Sequence, residues 1–293
     1  GAKYGVFAPN GTLALYLALK AIGIKPGDEV IVQNTTFIAS ANAVEMLGAK
    51  PVFADVISYD NLSIDIENLR ITKKTKAIMV CHLFGTACSN INEIKDYCNN
   101  NNIMLVEDAA QALAVTSTEG KHCGTFGTVG TFSFYADKTI TTGEGGFVVT
   151  DDEHIYKKML YLRNQGRLNS GTFIHQEIGY NFRITDMQAA LGLSQLDKLS
   201  YIIKAKQDIY SQYVSILEGE VDFLIVTNSF THVPFRVVVF VKDAQKTIDY
   251  MSSHGVEGRS VFFPLNQQPC YESLPSYNLD LHNSQECYAK GIC

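Results

Sequence analysis

The sequence predicts an α/β fold in which a mostly parallel sheet carries helices on both faces. Strand-like and helix-like segments alternate through the first half of the chain, and short connections join them. Parallel neighbours need a crossover connection, which is usually a helix, so this alternation is typical of parallel sheets. The chain has 293 residues, of which 46% are apolar, so it can bury one large core and a smaller second one.

The first elements are a strand at residues 3–8 and a helix at 13–23. The helix is rich in alanine and leucine, and Gly23 can take the left-handed conformation that ends many helices. After it, apolar runs bounded by turn residues predict four strands and three helices. The strands are 29–33, 51–55, 77–80 and 103–106, and the helices are 39–46, 66–70 and 91–98.

The middle of the chain begins with an apolar strand pattern that leads to Lys138, and a strand at 147–150 and a helix at 152–163 follow. A long helix then starts near Thr185, whose hydroxyl can cap it together with Gln188 three residues later. This helix is expected to connect the large domain to a smaller one.

The C-terminal region predicts a small α/β domain. Its elements are a strand at 235–240, a helix at 244–253 and a strand at 260–263. We therefore divide the chain into a large domain at 1–212 and a small domain at 213–293. We also expect segments to be missing at both chain ends, because the sequence starts within a strand pattern.

Composition narrows the class of partner. A net charge of −6 and the lack of a basic stripe argue against nucleic acid as the main partner. No apolar run approaches the roughly 20 residues that a membrane-spanning helix needs. The seven cysteines include no Cys-x-x-Cys pair, which favours reduced thiols in the cytosol and does not predict a zinc site. We expect a cytoplasmic protein without a metal centre or a membrane partner.

Lys138 is a lone lysine between an apolar strand pattern and a glycine-rich turn at 141–146. A buried amine with a lowered pKa can act as a nucleophile and form a Schiff base with a carbonyl cofactor or substrate. A solvent-exposed lysine beside a flexible turn is the alternative for any lysine taken alone. The other polar groups of the chain decide between the two.

Two polar residues follow the strand predicted at 103–106. Asp108 and Gln111 are three positions apart, and a carboxylate there can keep a ring N–H⁺ charged. The alternative is that Asp108 caps a short helix after the strand. Phe37 follows another strand end and can stack on a planar ring, although an aromatic residue there is also typical of ordinary core packing.

The start of the first long helix offers an anion site. Gly11 and Thr12 provide free backbone N–H groups and a hydroxyl, which is how helix N-termini hold phosphate. An ordinary helix cap is the alternative explanation of the polar residues at this position.

Taken together, these segments resemble the DegT/DnrJ/EryC1/StrS family of sugar aminotransferases. The resemblance runs from the first residues to about Tyr271 and is closest to the perosamine synthase type of that family. The segments that carry it are 10–12 before the helix, 107–111, Ser133 five positions before Lys138, 141–146 and 179–190. Those typical of the perosamine synthase type are 81–85, 138–146 and 258–264.

The resemblance implies a pyridoxal phosphate enzyme of the aspartate aminotransferase fold, that is, fold type I. It implies a homodimer with active sites shared between subunits. Lys138 would join covalently to the cofactor, and Asp108 would pair with the pyridine nitrogen. Phe37 would stack on the ring, and Gln111 matches the residue near the cofactor's 3-hydroxyl.

The resemblance also implies the phosphate contacts. Gly11, Thr12 and Ser133 match residues that hold the phosphate within one subunit. Asn181 matches the residue that reaches the phosphate from the partner subunit.

The activity implied by the resemblance is amino transfer from L-glutamate to a keto sugar. The cofactor would alternate between pyridoxal phosphate and pyridoxamine phosphate. For the perosamine-like type, the acceptor is the 4-keto group of a nucleotide-linked 4-keto-6-deoxyhexose. Amination of a 3-keto sugar and non-catalytic binding of a sugar nucleotide or cofactor are the alternatives. Asn266 stands where relatives often carry histidine, so the sugar pocket departs from the family pattern.

Overall fold

The structure is a computed structural model that describes residues 1–168, 171, 173–272, 274 and 280–293. Its strands are β1 (Tyr4–Ala8), β2 (Glu29–Gln33), β3 (Lys50–Ala54), β4 (Thr75–Cys81), β5 (Met104–Asp108), β6 (Val129–Ser133), β7 (Gly146–Thr150), β8 (Asp222–Phe223), β9 (Val239–Phe240) and β10 (Gly291–Ile292). Its helices are α1 (Gly11–Ala21), α2 (Ala39–Glu45), α3 (Ile91–Asn101), α4 (Glu153–Arg163), α5 (Asp186–Leu196), α6 (Leu199–Leu217), α7 (Ala244–Ser253) and α8 (His282–Lys290).

A seven-stranded sheet with the order β1–β7–β6–β5–β4–β2–β3 organises the large part of the chain. The strand pairs β3–β2, β2–β4, β4–β5 and β5–β6 are parallel. The pairs that β7 forms with β6 and with β1 are antiparallel. The predicted α/β class with a mostly parallel sheet is confirmed. Because the parallel strands share one direction, their carboxyl ends meet at one edge of the sheet, where ligands bind in such folds.

Helices cover both faces of this sheet. Along β2, Val30 and Val32 belong to a core cluster that includes α1, whereas Ile31 belongs to a second cluster that includes residues of α3. This alternation follows from the strand period of two, which sends neighbouring side chains to opposite faces. Each face therefore buries its own apolar core.

Side-chain caps set the start of several helices. The side chain of Asn10 accepts a hydrogen bond from Leu13 N at the start of α1. The predicted cap of α5 is confirmed, because Thr185 and Gln188 form a reciprocal capping box. A second helix, α6, follows α5 almost directly, and the predicted domain boundary at residue 213 falls inside it. That boundary stays a prediction.

A three-stranded antiparallel sheet with the order β10–β9–β8 forms the C-terminal part. The segment that follows α7 returns to the large sheet, where Leu265 and Tyr271 join the core that contains α1. Asn266 and Asn34 exchange two hydrogen bonds of 2.9 Å at the end of β2. No helix among the described residues combines the length and the apolar character needed to cross a membrane.

The helix predicted at 66–70 is wrong. Asp65 instead accepts a 3.0 Å hydrogen bond from Glu67 N and a 2.6 Å hydrogen bond from the Asn68 side chain, which holds a turn. A five-residue segment gains too few helical hydrogen bonds to offset nucleation, so the local side-chain bonds dominate.

Both strands predicted in the small domain are longer than the structure allows. The predicted strand at 235–240 is reduced to β9, because Phe235 N donates a 3.0 Å hydrogen bond to Phe84 O on the loop after β4. The predicted strand at 260–263 is reduced to a bridge between Ser260 and Ile292, beside which Val261 N donates a 3.1 Å hydrogen bond to Gly291 O. Both segments also contact the loop after β4 or line the cavity described below, which explains why they are apolar beyond the short paired stretches.

Candidate active site

A cavity of about 480 Å³ opens at the carboxyl ends of β4, β5 and β6, next to the first turn of α1. Seven of the eight predicted site residues line it: Gly11, Thr12, Phe37, Asp108, Gln111, Ser133 and Lys138. They come from separate elements that the parallel sheet brings to one edge. Asn181, the eighth, does not appear among the described residues that line this cavity.

Lys138 lies in the connection between β6 and β7 rather than at a strand end. The chain turns back after Ser133, and Lys138 N donates a 3.0 Å hydrogen bond to Tyr135 O. Its side chain is only 15% exposed, and its Nζ lies 4.6 Å from the centre of the Phe235 ring. Burial lowers the pKa of the Lys138 amine, Asp137 and Asp108 act to raise it, and Arg236 lowers it further.

Asp108 is the last residue of β5, and its side chain is buried at the cavity wall. Its Oδ2 accepts a 2.8 Å hydrogen bond from the hydroxyl of Ser40, and its Oδ1 accepts one of 3.1 Å from Ala110 N. A turn rather than a helix follows β5 in the described chain, so the alternative of a helix cap is wrong. The two hydrogen bonds fix the direction of the carboxylate.

Gln111 and Phe37 are connected through two aromatic residues, Phe84 and Phe262. The Gln111 Oε1 accepts a 2.8 Å hydrogen bond from Phe84 N, which leaves the amide NH₂ of Gln111 as a donor. The ring of Phe84 stacks on Phe262 at 5.4 Å, and Phe262 in turn meets Phe37 edge-on at 6.2 Å. Phe37 is 57% exposed, so it is not an ordinary core residue and its ring is available to a ligand.

The first turn of α1 packs against the end of β6. A Cβ atom added at Gly11 would lie 3.0 Å from Ser133 Cβ and 3.2 Å from Ser133 Oγ, so a larger residue would fill the space between them. The Asn10 side chain satisfies Leu13 N, whereas the N–H groups of Gly11 and Thr12 belong to the helical turn that lacks intrahelical acceptors. Small anionic groups bind in such places.

Asn181 is exposed, and its Oδ1 accepts a 2.9 Å hydrogen bond from Arg183 Nε. The flanking rings of Tyr180 and Phe182 stack on each other at 4.7 Å. The Tyr180 hydroxyl also lies 2.6 Å from the hydroxyl of Tyr16 on α1. The backbone around Asn181 is therefore held in place, while the exposed Asn181 side chain is not among the described residues that line the cavity.

A buried polar network that the sequence did not predict adjoins the cavity, whose lining includes His82. His82 Nε2 is 2.9 Å from Glu107 Oε2, and both side chains are fully buried. His82 Nδ1 accepts a 3.0 Å hydrogen bond from Cys88 N, so the ring carries its hydrogen on Nε2 and donates it to Glu107. Glu107 also accepts hydrogen bonds of 2.5–2.7 Å from the backbone N–H groups of residues 124, 126 and 127.

Sequence reasoning also missed Ser40, Asp137 and Arg236. Ser40 belongs to an alanine-rich helix, and no motif marked it as a partner of Asp108. Asp137 precedes Lys138 directly, and this adjacency was the only available signal. Arg236 Nη2 donates a 3.0 Å hydrogen bond to Asp137 Oδ2 although the two residues are 99 positions apart, so only the fold shows this pair.

The sequence profile of the DegT/DnrJ/EryC1/StrS aminotransferase family matches residues 1–293. The GDP-perosamine synthase of Vibrio cholerae is 39% identical over 280 residues, which cover 93% of this chain and 76% of that protein.

Solved structures agree with the sequence comparison. The crystal structure of S. venezuelae DesV in complex with a ketimine intermediate has a TM-score of 0.92 at 28% identity, covering 99% of this chain and 79% of that one. A putative sugar aminotransferase from Streptococcus pneumoniae in its PLP form has a TM-score of 0.88 at 28% identity, covering 99% of this chain and 81% of that one.

Proposed function

This chain belongs to the DegT/DnrJ/EryC1/StrS aminotransferase family, whose members depend on pyridoxal phosphate, and from this premise we propose its substrates. The amino donor is L-glutamate, and the acceptor is the 4-keto carbon of a nucleotide-linked 4-keto-6-deoxyhexose. The nucleotide is GDP, by analogy with the GDP-perosamine synthase of Vibrio cholerae. The observation that carries the proposal is the buried Lys138 amine, which shares one cavity with the oriented carboxylate of Asp108.

The cavity fits pyridoxal phosphate. Gly11 packs closely against Ser133, which brings the N–H groups of the first α1 turn and the Ser133 hydroxyl to one corner of the cavity, and this corner suits the phosphate group. Thr12 lines the same corner and adds a hydroxyl donor. A phosphate there would be bound by uncharged donors and by the positive end of the helix dipole.

Asp108 and Phe37 suit the cofactor ring. Asp108 is held by Ser40 and by Ala110 N, and its carboxylate can accept a charged hydrogen bond from a pyridinium N–H. The Phe37 ring lines the cavity and provides a face for stacking. The free amide NH₂ of Gln111 can donate to the cofactor's 3-hydroxyl oxygen. When bound, the cofactor supplies an aldehyde that takes the amino group and a ring that accepts electrons.

Lys138 carries the proton chemistry of the proposed reaction. Its lowered pKa makes the amine easier to deprotonate near neutral pH, so it can attack a carbonyl carbon. Released from that carbon, the Lys138 amine can accept the proton from the Cα of the amino donor in the first half of the reaction. In the second half it can donate a proton to the acceptor carbon that receives the amino group. Its side chain is only 15% exposed at the cavity wall, which limits the access of water to this proton.

The proposed enzyme is a homodimer with shared active sites. The helices α5 and α6 have no buried residues, and large apolar side chains on them are exposed, including Met187 at 81% and Leu193 at 66%. An exposed apolar surface of this kind favours contact with a second copy of the chain. Asn181, exposed beside α5, would then reach the phosphate of the partner's cofactor.

The substrate proposal is tested by a direct product assay. Purified enzyme loaded with pyridoxal phosphate receives L-glutamate and one sugar nucleotide at a time, carrying GDP, UDP or dTDP and a keto group at C4 or C3. Mass spectrometry follows the amino sugar nucleotide, and a coupled assay follows 2-oxoglutarate. We expect both products with the GDP-linked 4-keto-6-deoxyhexose. Turnover of a 3-keto sugar alone, or of a UDP or dTDP sugar alone, would contradict this substrate.

A further inference from the structure

Arg236 stands next to the proposed reaction centre, and neither the family resemblance nor the roles given above use it. Its guanidinium donates a 3.0 Å hydrogen bond to Asp137 Oδ2, while Asp137 Oδ1 lies 4.0 Å from Lys138 Nζ. One carboxylate therefore bridges the arginine and the lysine. Both Arg236 and Asp137 line the same cavity as Lys138.

The position of Arg236 depends on a close contact between two backbone segments. Val233 N and Phe235 N donate hydrogen bonds of 3.2 and 3.0 Å to the carbonyl groups of Gly85 and Phe84. A Cβ atom at Gly85 would lie 1.8 Å from Val233 O, and the φ angle of Gly85 is +87°, so this contact requires glycine. The contact holds the segment that presents Arg236 against the loop after β4.

Positive charge is in excess at this wall of the cavity. Lys138, Arg236 and Lys206 lie 4.6, 5.1 and 6.0 Å from the centre of the Phe235 ring, and Asp137 is the carboxylate between them. Three further charged or titratable groups interact electrostatically with this cluster. Asp108 interacts with Lys138, Arg259 with Asp137, and the Cys293 thiol with Arg236. Such a cluster attracts a further anion.

The ion pair between Arg236 and Asp137 can exchange partners. The two side chains are 41% and 43% exposed, and an ion pair at that exposure contributes at most a small stabilisation. Among the described residues, Asp137 accepts the only hydrogen bond of the Arg236 guanidinium, so most of its five donors are available. Guanidinium groups bind phosphate and carboxylate oxygens in a two-pronged manner.

We propose that Arg236 binds an oxyanion of the substrate, a phosphate or a carboxylate oxygen, and leaves Asp137 when it does so. The inference rests on the proposed function, because it requires that an anionic substrate binds in the cavity beside Lys138. Once Arg236 moves, Asp137 keeps its contact with the Lys138 nitrogen and no longer shares its carboxylate with the Arg236 guanidinium. Substrate binding is thereby coupled to the charge on Lys138.

The direction of this coupling follows from the groups around Lys138. Burial lowers the pKa of the Lys138 amine, Asp137 raises it, and Arg236 lowers it. When Arg236 moves away, Asp137 still raises the pKa of the Lys138 amine, whereas Arg236 lowers that pKa less than before. The bound anion adds a second negative charge nearby. The nitrogen of Lys138 therefore holds its proton to higher pH when the anion is present.

The test uses the enzyme loaded with pyridoxal phosphate, in which the Lys138 nitrogen is joined to the cofactor. The pH at which this nitrogen gains its proton is measured from the absorption spectrum. Inorganic pyrophosphate represents the substrate phosphates, and maleate represents the carboxylates of the amino donor. Arg236→Gln removes the guanidinium, Arg236→Lys keeps its charge, and Lys206→Gln is the matched control, because Lys206 flanks the same ring without bonding to Asp137.

In the unaltered enzyme, at least one probe raises the spectral midpoint by about one pH unit, the order expected for one charge at close range. Arg236→Gln weakens the binding of that probe roughly 10- to 100-fold, as expected for the loss of a charge-assisted hydrogen bond. The same variant abolishes the shift of the spectral midpoint. Arg236→Lys recovers part of both effects, and Lys206→Gln retains them. A response to pyrophosphate assigns Arg236 to the substrate phosphates, and a response to maleate assigns it to the amino donor.

Two results would overturn the inference. In one, Arg236→Gln binds both probes as the unaltered enzyme does. In the other, Lys206→Gln loses as much affinity as Arg236→Gln, which would indicate a diffuse field and not a specific contact. Failure of the proposed function gives a different result, because pyridoxal phosphate would then produce no spectral band from a link to Lys138.

Discussion

The Ser40 hydroxyl donates a 2.8 Å hydrogen bond to Oδ2 of Asp108, which links α2 to the end of β5 at the cavity wall. Both residues are buried, and Ser40 is fully so. The remaining oxygen of Asp108 accepts a hydrogen bond from Ala110 N. The carboxylate is thus oriented before any ligand binds, and Ser40 acts on the proposed cofactor site only through Asp108.

Replacing Ser40 with alanine is expected to weaken cofactor binding about tenfold, equivalent to ~1.4 kcal/mol, because Asp108 loses one of its two orienting donors. The free energy of unfolding should fall by about 1–2 kcal/mol. Spectral titration of the apoenzyme with pyridoxal phosphate gives the first quantity, and urea denaturation gives the second. Ser63→Ala is the matched control, because Ser63 is also buried and its hydroxyl is hydrogen-bonded to Ser89 away from the cavity. Equal cofactor affinity in the two variants would contradict the positioning role of Ser40.

Glu107→Gln is expected to destabilise the fold by about 2–4 kcal/mol, because the new NH₂ group would face a backbone N–H or the His82 Nε2–H donor inside the protein. Urea denaturation measures the loss. Glu93→Gln, at an exposed position on α3, is the control and should change the free energy of unfolding by less than about 0.5 kcal/mol. A Glu107→Gln protein as stable as this control would show that the buried network contributes nothing to the fold.

The sequence predicted most of the cavity because the predicted residues follow strands or begin a helix. Asp108 and Ser133 end two strands whose apolar runs are plain in the sequence, and Gly11 starts a helix with a polar cap. The pairing of Arg236 with Asp137 could not be predicted, because it depends on a loop that crosses from the small sheet to Phe84 and Gly85.

Errors in secondary structure have a similar origin. The apolar run at 235–240 predicts a strand, but its first residues are buried by tertiary contact and not by a strand ladder. Phe235 forms part of the cavity wall, and Val238 packs in the core of the small sheet. An apolar pattern in the sequence indicates burial, and burial against another part of the fold gives the same pattern as burial in a sheet.

The stability of the protein is expected to fall in mild acid because of His232. Its ring meets Tyr210 edge-on at 4.5 Å, and burial lowers the pKa of His232 to about 4. The unfolded chain takes up this proton below about pH 6.5, whereas the folded protein does so only below about pH 4. The free energy of unfolding therefore decreases as the pH falls from about 6.5 to about 4, by at most about 3 kcal/mol.

His232→Gln removes this contribution, so the difference between its stability and that of the unaltered protein should change across the same pH interval. Urea denaturation at several pH values measures it, and the other titrating groups cancel in the comparison. His154→Gln, an exposed histidine on α4, should follow the unaltered protein. A constant difference between His232→Gln and the unaltered protein would refute the lowered pKa.

The shared active site is tested by mixing inactive subunits. Lys138→Ala and Asn181→Ala proteins are each expected to be inactive or severely impaired alone. After they are unfolded together and refolded, about half of the dimers contain one chain of each type, and each mixed dimer has one intact site. Activity should therefore return to about a quarter of the unaltered level. No recovery, with mixed dimers shown by mass spectrometry, would mean that each site is built from a single chain.

The central claim is that Lys138 carries the cofactor and the amino-transfer chemistry. The most direct measurement is the absorption spectrum of the protein with pyridoxal phosphate, before and after L-glutamate, followed by borohydride reduction and peptide mass mapping. We predict a band that shifts when glutamate is added, and a reduced cofactor adduct on the peptide that contains Lys138. The absence of a band, or an adduct on another lysine, would contradict the account.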